Sequence, residues 1–360
     1  MLRVFKRWSE HYLADEEAIG LLVIIATVLL LVLYASQVMA PVIASLIIAY
    51  LLLGIVQRFK AWMPEILAFH VTFGLFISFC VGVVLFIVPL IVRQLSALAL
   101  ELPNIFQKVQ SQLDIYQQQY PDILSDAQIE SVLQLAGEKA GSLGQTLVSF
   151  SVASLPNIFA IMIYGVLIPL LVYFFVRDKS TLQKWFVQFL PNERPMMDSV
   201  WKEMNLQVAN YVRGKAIEVV VVGVSTFIAF ISFDLNYSTL LAVGVGLSVI
   251  VPYVGAVAIT LPVVLVAFWQ FGISDTFMMV VGAYFFVQFL DGNVLVPLLF
   301  SEAVNMHPVA IILSVLFFGG MWGLWGVFFA IPLATLIKAL LSAWPRGLNT
   351  KAAKEELYAE

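Results

Sequence analysis

Asp291 is the only formal charge in the apolar run from Thr276 to Phe300. Gln288 and Asn293 stand beside it, Gly292 follows it, and Pro297 closes the segment. A carboxylate in a run of lipid-spanning length is costly unless it faces other protein, a cation or water. Glycine and proline weaken a helix, and freed backbone at membrane depth is tolerated only against protein or a wet cavity. The chemistry expected of this cluster is contact with a ligand or cation, or relay of a proton. The bland alternative is a structural acid that caps broken helix ends.

Two further interruptions have the residue types for such work. Pro252, Tyr253 and Gly255 split the run Ser238 to Phe271 near its middle, and Gly319, Gly320, Gly323 and Gly326 split the run Met306 to Ile337. Broken helices present half-helix dipoles and unpaired backbone groups, which form substrate sites in transporters. Small residues also let helices approach closely, so a packing role competes with a lining role for the glycines. Trp322 and Trp325 suit either an interfacial anchor or a cavity wall. His307, the one candidate base near these runs, stands beside Pro308 and reads as a segment boundary.

The elements that must position these residues are apolar helices. Of the 360 residues 61% are hydrophobic and 12% charged, and mean hydropathy is +0.96, a composition that a soluble domain does not have. The net charge of −4 gives no sign of a nucleic-acid partner. One cysteine, Cys80, permits no internal disulfide, and with three histidines no metal site is expected. There is no Walker sequence, dinucleotide fingerprint or nucleophile elbow, so neither enzyme chemistry nor a cofactor is expected.

Eight apolar segments run from Ala18 to Val38, Pro41 to Val56, Ile66 to Val92, Val152 to Val176, Ala216 to Phe233, Ser238 to Phe271, Thr276 to Phe300 and Met306 to Ile337. The first reads as an uncleaved span rather than a signal peptide, for no small-residue cleavage site follows it. A span needs about 20 residues. The two interrupted runs exceed that and fit two half-length helices each. Eight crossings, or six crossings and two re-entrant hairpins (238–271 and 306–337), satisfy the same charge bias, and length favours the hairpins. The expected fold class is an all-α integral membrane protein with amphipathic helices outside the membrane.

Loop charge orients it. Arg93 to Phe150 holds three basic residues against six acids and falls outside; Arg177 to Glu218 holds seven basic residues, Lys215 among them, and falls inside, as do both termini. Ile105, Val109, Leu113 and Tyr116, then Ile129, Val132, Leu133 and Ala136, and on the inner side Val200, Met204, Val208 and Tyr211, recur at helical spacing. These faces must bury against lipid headgroups, another subunit or the chain itself.

The run Asp291-Gly292-Asn293-Val294-Leu295-Val296-Pro297, then Met306-His307-Pro308, the Gly-Gly-x-x-Gly-x-x-Gly stretch and Ala330-Ile331-Pro332-Leu333, resembles the C-terminal signature of the autoinducer-2 exporter family in its PerM-like permease branch. Ile250 to Gly255 is similar to that family's Ile-Pro-Tyr-Gly break, and Asn210-Tyr211-Val212-Arg213-Gly214 and Leu190-Pro191 also fit. The resemblance covers nearly the whole chain. Ser301-Glu302-Ala303-Val304 departs from it, where many members carry a glycine soon after the proline.

The resemblance implies a homo-oligomer, pentameric in some members, in the bacterial inner membrane. It implies small-solute transport, with quorum-signal export in some members and sodium–proton antiport proposed for others. The expected layout is N-terminal spans (1–92), a periplasmic helical region (93–151), a span (152–176), a cytoplasmic helical region (177–215), a transport core (216–343) and a cytoplasmic tail (344–360). The expected partners are a small molecule or ion, membrane lipid and further copies of the chain. Substrate contact is assigned to Asp291, Asn293, Gln288, Tyr253, Pro252, Gly255, Gly319, Gly320 and Gly323. Two rival functions are a cation/proton antiporter using Asp291, and a non-transporting envelope assembly protein that docks periplasmic partners on 93–151.

Overall fold

The computed structural model describes residues 36–119, 155–191, 194–300 and 306–343, with residues 20, 23, 24, 27 and 30. The expected first span, Ala18 to Val38, and the stripe at Ile129 to Ala136 lie largely or wholly outside the described residues. No strand occurs among those described. The helices are α1 (Ser36–Phe59), α2 (Glu65–Gly82), α3 (Val88–Gln119), α4 (Leu155–Arg177), α5 (Lys179–Val187), α6 (Pro195–Ser232), α7 (Ser238–Ser248), α8 (Val254–Phe271), α9 (Asp275–Leu290), α10 (Val296–Phe300), α11 (Pro308–Trp322) and α12 (Leu324–Ala343). Among the described residues, five continuous stretches are long and apolar enough to cross a membrane: Met39–Phe59, Glu65–Ser111, Pro195–Ser232, Val254–Phe271 and Asp275–Phe300. Ile163–Arg177, Ser238–Ser248, Val309–Trp322 and Trp325–Leu340 are apolar but shorter. The expected all-α membrane class is therefore the one observed.

Two expected boundaries fall inside continuous helices. Glu65–Ser111 runs unbroken past 92, and α6 runs unbroken past 215. A change from apolar to polar sequence moves a helix from lipid to water without ending it, because its backbone hydrogen bonds are internal.

Wide helical turns, with i to i+5 bonding, join α2 to α3 at Val83–Ile87 and α9 to α10 at Asp291–Leu295. Val-Pro-Leu follows both, at 88–90 and 296–298. A proline ring inside a helix presses on the carbonyl four residues back. That carbonyl belongs to Leu85 in one case and Asn293 in the other, each the third residue of its wide turn. Pro103, Pro169, Pro262 and Pro332 stand in helices without such a turn, so proline permits it but does not dictate it.

The chain forms two compact units, with α6 contributing to both. One holds Met1–Trp62, Ile168–Arg213 and Glu302–Glu360. Within it the Tyr50 hydroxyl donates to Asn205 Oδ1 (2.9 Å), Ser45 Oγ donates to the Ile168 carbonyl (3.3 Å), and the Tyr211 hydroxyl donates to the Phe328 carbonyl (2.8 Å). α11 and α12 fold back on each other around Val315, Phe318 and Ala330.

The other unit holds Met63–Leu167 and Gly214–Ser301. Its core gathers Val222 and Phe230 of α6, Leu241, Ala242 and Val245 of α7, Val263, Val266 and Ala267 of α8, and Val280 and Tyr284 of α9. α3 packs against both α7 and α8. Gln94 of α3 accepts the Leu240 N–H (2.7 Å), satisfying one of the free donors in the first turn of α7. The Lys108 ammonium lies 5.8 Å from the Trp269 ring centroid, a cation–π distance. Both interrupted runs are thus hairpins of two helices each, not single kinked helices.

Candidate functional site

In the Gly214–Ser301 unit, α7 stops at Ser248 and α8 starts at Val254. Between them the chain reverses in a tight γ-turn. The Val254 N–H donates to the Pro252 carbonyl (2.7 Å), and Tyr253 at the centre has φ 63° and ψ −53°. This positive-φ form of the γ-turn is rare and strained for a residue with a side chain. Proline fixes the φ before it and has no N–H to lose. Gly255 has a different task. A Cβ there would fall onto the Ser248 carbonyl, so the absent side chain lets the two helix ends touch.

The open end of α7 is held from α6. Lys215 Nζ donates to the Val249 carbonyl (2.7 Å) and pairs with Glu218 Oε2 (2.7 Å). Both residues are buried, at 6% and 2% exposure. The ammonium also lies 5.4 Å from the centroid of the buried Phe300 ring. A cation at a helix C-terminus meets the negative end of the helix dipole and a carbonyl that has no partner in its own helix. Asp291 stands in the wide turn after α9. Its Oδ1 is buried and has no hydrogen-bond partner among the described residues.

Lys215, Glu218, Val222, Thr226 and Phe230 share one face of α6 and are all buried. Thr226 Oγ1 also lacks a partner among the described residues. One turn before Asp291, Gln288 Nε2 donates to the Tyr284 hydroxyl (2.8 Å). That hydroxyl is 2.7 Å from Thr260 Oγ1, which donates to the Ala256 carbonyl (2.7 Å). A chain of polar groups therefore leads from the wide turn of α9 to the first turns of α8.

The structure thus pairs Lys215 with Glu218 and leaves Asp291 with a buried oxygen that has no partner among the described residues. It joins Gln288 to α8 through Tyr284, and sets Pro252, Tyr253 and Gly255 in the turn that Lys215 secures. Asn293 is not joined to the charges: it is exposed, and its amide donates to the Phe289 carbonyl of its own helix (2.9 Å). Tyr253 is exposed too.

Gly319, Gly320 and Gly323 lie in the other unit. Gly323 carries the reversal between α11 and α12 at φ 60°, ψ −135°. A Cβ on Gly326 would fall on the Phe318 carbonyl, and one on Gly319 would meet Val327 at 2.7 Å, while Gly320 faces open space. Trp322 stacks on Phe318 (5.9 Å), and its Nε1 is buried without a partner among the described residues. His307 caps α11, its Nδ1 accepting the Val309 N–H (3.3 Å), so it is the boundary residue that the sequence suggested. No group of three or more His, Cys, Asp or Glu among the described residues is placed to hold a metal.

Lys215 and Glu218 were not among the residues picked out from sequence, where Lys215 counts as a loop charge. The available signal was a Lys-x-x-Glu pair at the entrance to an apolar run. Opposite charges three apart share a helix face and neutralise each other at depth.

Fold and site define a multi-pass α-helical membrane protein with opposite charges buried among its apolar helices. The chain belongs to the AI-2E family of transporters, whose description, AI-2E family transporter, matches residues 21–346. It is 40% identical to the putative permease PerM of Escherichia coli K12 over 96% of this chain and 99% of that one. It is 26% identical to the putative transport protein YrrI of Bacillus subtilis 168, over 84% and 85% of the two chains. It is 21% identical to the AI-2 transport protein TqsA of Escherichia coli K12, over 95% of each. These relatives make it a membrane transport protein.

Proposed function

We propose that this chain is a secondary permease of the bacterial inner membrane. It exports a small polar solute of the autoinducer-2 type, works as a homo-oligomer and keeps both termini in the cytoplasm. The observation that carries the reading is the Asp291 carboxylate, with one oxygen buried and without a partner among the described residues, in a wide helical turn within a span. Wide turns of this kind are frequent at functional sites. An unpaired buried carboxylate oxygen is costly and is expected where a ligand completes it. The substrate class is suggested by TqsA, whose name gives AI-2 as its cargo. The two hairpins would be re-entrant, and solute would pass the α7–α8 turn as the hairpin moves against the remaining spans.

Purified protein in liposomes, assayed for autoinducer-2 movement, tests this. Wild type should carry the solute, and Asp291→Asn should stay folded and inserted but lose most of the flux, because Asn keeps size and hydrogen bonding while removing charge. Unchanged flux in Asp291→Asn would remove that residue from the path. Absence of any flux in wild type would favour a docking role for the region 93–151.

A further inference from the structure

We propose that the Arg213 guanidinium, seated against Gly54 of α1, is a binding site for a monoanionic oxygen acid, either a carboxylate or a phosphodiester. The claim concerns binding alone and does not rest on the transport reading.

Arg213 lies on α6, in the compact unit that also holds α1. Both helices belong to stretches apolar enough to cross a membrane, Pro195–Ser232 and Met39–Phe59. The residue is half-buried. It keeps its charge there, because a guanidinium is not deprotonated in a protein. Its Nε is buried, and nothing among the described residues accepts a hydrogen bond from it. The acids of α6 do not supply a counter-charge: Asp198 pairs with Arg194, Glu218 pairs with Lys215, and Glu203 is exposed. The helices α1, α4, α5, α11 and α12 contain no acid. A cation taken out of water without a partner is costly, and an anion that joins it relieves that cost.

The seat is built into the helix contact. A Cβ on Gly54 would stand 3.0 Å from Nε, 3.4 Å from Cζ and 3.4 Å from Nη2, so the guanidinium lies in space that only glycine leaves on α1. One turn earlier on α1 the two helices are pinned, where the Tyr50 hydroxyl donates to Asn205 Oδ1 (2.9 Å). Tyr211 fastens α6 from another side, donating to the Phe328 carbonyl (2.8 Å). A guanidinium is a rigid planar fork whose parallel N–H donors match the two oxygens of a carboxylate or phosphodiester. With Nε closed off, the Nη end is the side that an anion meets. One cation in apolar surroundings selects a monoanion, since a dianion would leave a net charge behind. Such a group comes either from a lipid headgroup or from a dissolved solute.

The test uses the full chain in a neutral detergent. Thermal unfolding is followed against rising sodium acetate or sodium dimethyl phosphate, with sodium chloride at matched ionic strength as the reference. Native mass spectrometry compares retention of phosphatidylglycerol, which is anionic, with that of zwitterionic phosphatidylcholine. A midpoint that rises with either salt identifies a dissolved ligand, because a ligand of the folded state stabilises it. Retention of phosphatidylglycerol over phosphatidylcholine identifies a lipid. In either case Arg213→Gln should weaken the apparent affinity about tenfold or more, the scale of one charge-assisted hydrogen bond. Arg213→Lys should fall between, since it keeps the charge but not the fork. Gly54→Ala should weaken binding by crowding the guanidinium, and the control Arg194→Gln should leave it unchanged. Neither a midpoint shift nor selective lipid retention in wild type would overturn the proposal, and so would unchanged affinity in Arg213→Gln. Should Arg213→Gln not fold, Arg213→Lys decides it: an affinity equal to that of wild type overturns the site.

Discussion

The α7–α8 hairpin reverses through Val249–Tyr253, whereas the α11–α12 hairpin reverses on Gly323. Both need a glycine just after the turn, Gly255 or Gly326, so that one helix end lies on a carbonyl of the other. They differ in how the turn is held. Gly323 takes the positive φ without cost, and the surrounding core of Val315, Phe318 and Ala330 is apolar. The other turn puts positive φ on Tyr253 and depends on a lysine from α6 to hold its free carbonyl. The first is a packing device complete in itself. The second is strained and secured by a charge, so its stability answers to the charge state of its neighbours. Strain of that kind collects where a structure has to move or bind.

The sharpest way to break this contrast is to remove the lysine. Lys215→Met leaves Glu218 buried without its partner and should lower stability by about 3–5 kcal/mol, the scale for breaking a buried ion pair. The double variant Lys215→Met with Glu218→Gln should recover most of that loss, measured by thermal unfolding in detergent. A single variant as stable as wild type would mean that the α7–α8 turn is as self-contained as its counterpart.

A second test sharpens the common part. Gly255→Ala and Gly326→Ala should each cost about 1–3 kcal/mol through overpacking. Gly320→Ala and Gly292→Ala, whose added methyls meet open space, should stay within about 0.5 kcal/mol of wild type. Equal losses at all four would show that helix flexibility, not close approach, is what these glycines supply.

The contrast between the hairpins was half legible in the sequence. Their existence was, because runs longer than a span and split by Gly or Pro have room to fold back. Asp291 was legible as a lone charge in an apolar run. The buried Lys215–Glu218 pair was not, because both residues sit at the edge of their run, where charge normally means solvent. The wide turn at Asp291–Leu295 was read as a weakened helix, since Gly292 and Pro297 speak for weakening and not for the widening that absorbs it. In Pro252-Tyr253-Val254-Gly255 the glycine is the residue expected to take an unusual φ, yet Tyr253 takes it, and Gly255 is needed for space. Local propensity could not reveal that, because the Ser248 carbonyl that claims the space of a Gly255 side chain lies on the other helix.

A smaller effect tests the network beside the charges. Tyr284→Phe removes the hydroxyl that links Gln288 to Thr260 and should cost about 1–2 kcal/mol, the range for losing a buried hydrogen bond. Loss of stability with flux retained would make the Thr260–Tyr284–Gln288 chain a support for the α8–α9 packing alone.

The smallest expected effect has the opposite sign, and it isolates the strain at the α7–α8 turn. Tyr253→Gly lets the central residue keep φ 63° without a Cβ, relieving about 1–3 kcal/mol. Glycine gains freedom in the unfolded chain, which takes back about 0.5–1 kcal/mol. The net outcome should be a gain in stability of about 1 kcal/mol, the difference between those two ranges. Tyr253→Ala retains the strained backbone and should show no such gain, which separates backbone from ring; the ring is exposed and contributes little burial. Gly323→Ala, the reverse change at the other hairpin, should lose about 1–3 kcal/mol for the same reason. If Tyr253→Gly is instead less stable than Tyr253→Ala, the tyrosine conformation is not strained, and the two turns differ only in the lysine that holds one of them. If it is more stable and transports more slowly, the strain at Tyr253 is part of what allows the α7–α8 hairpin to move.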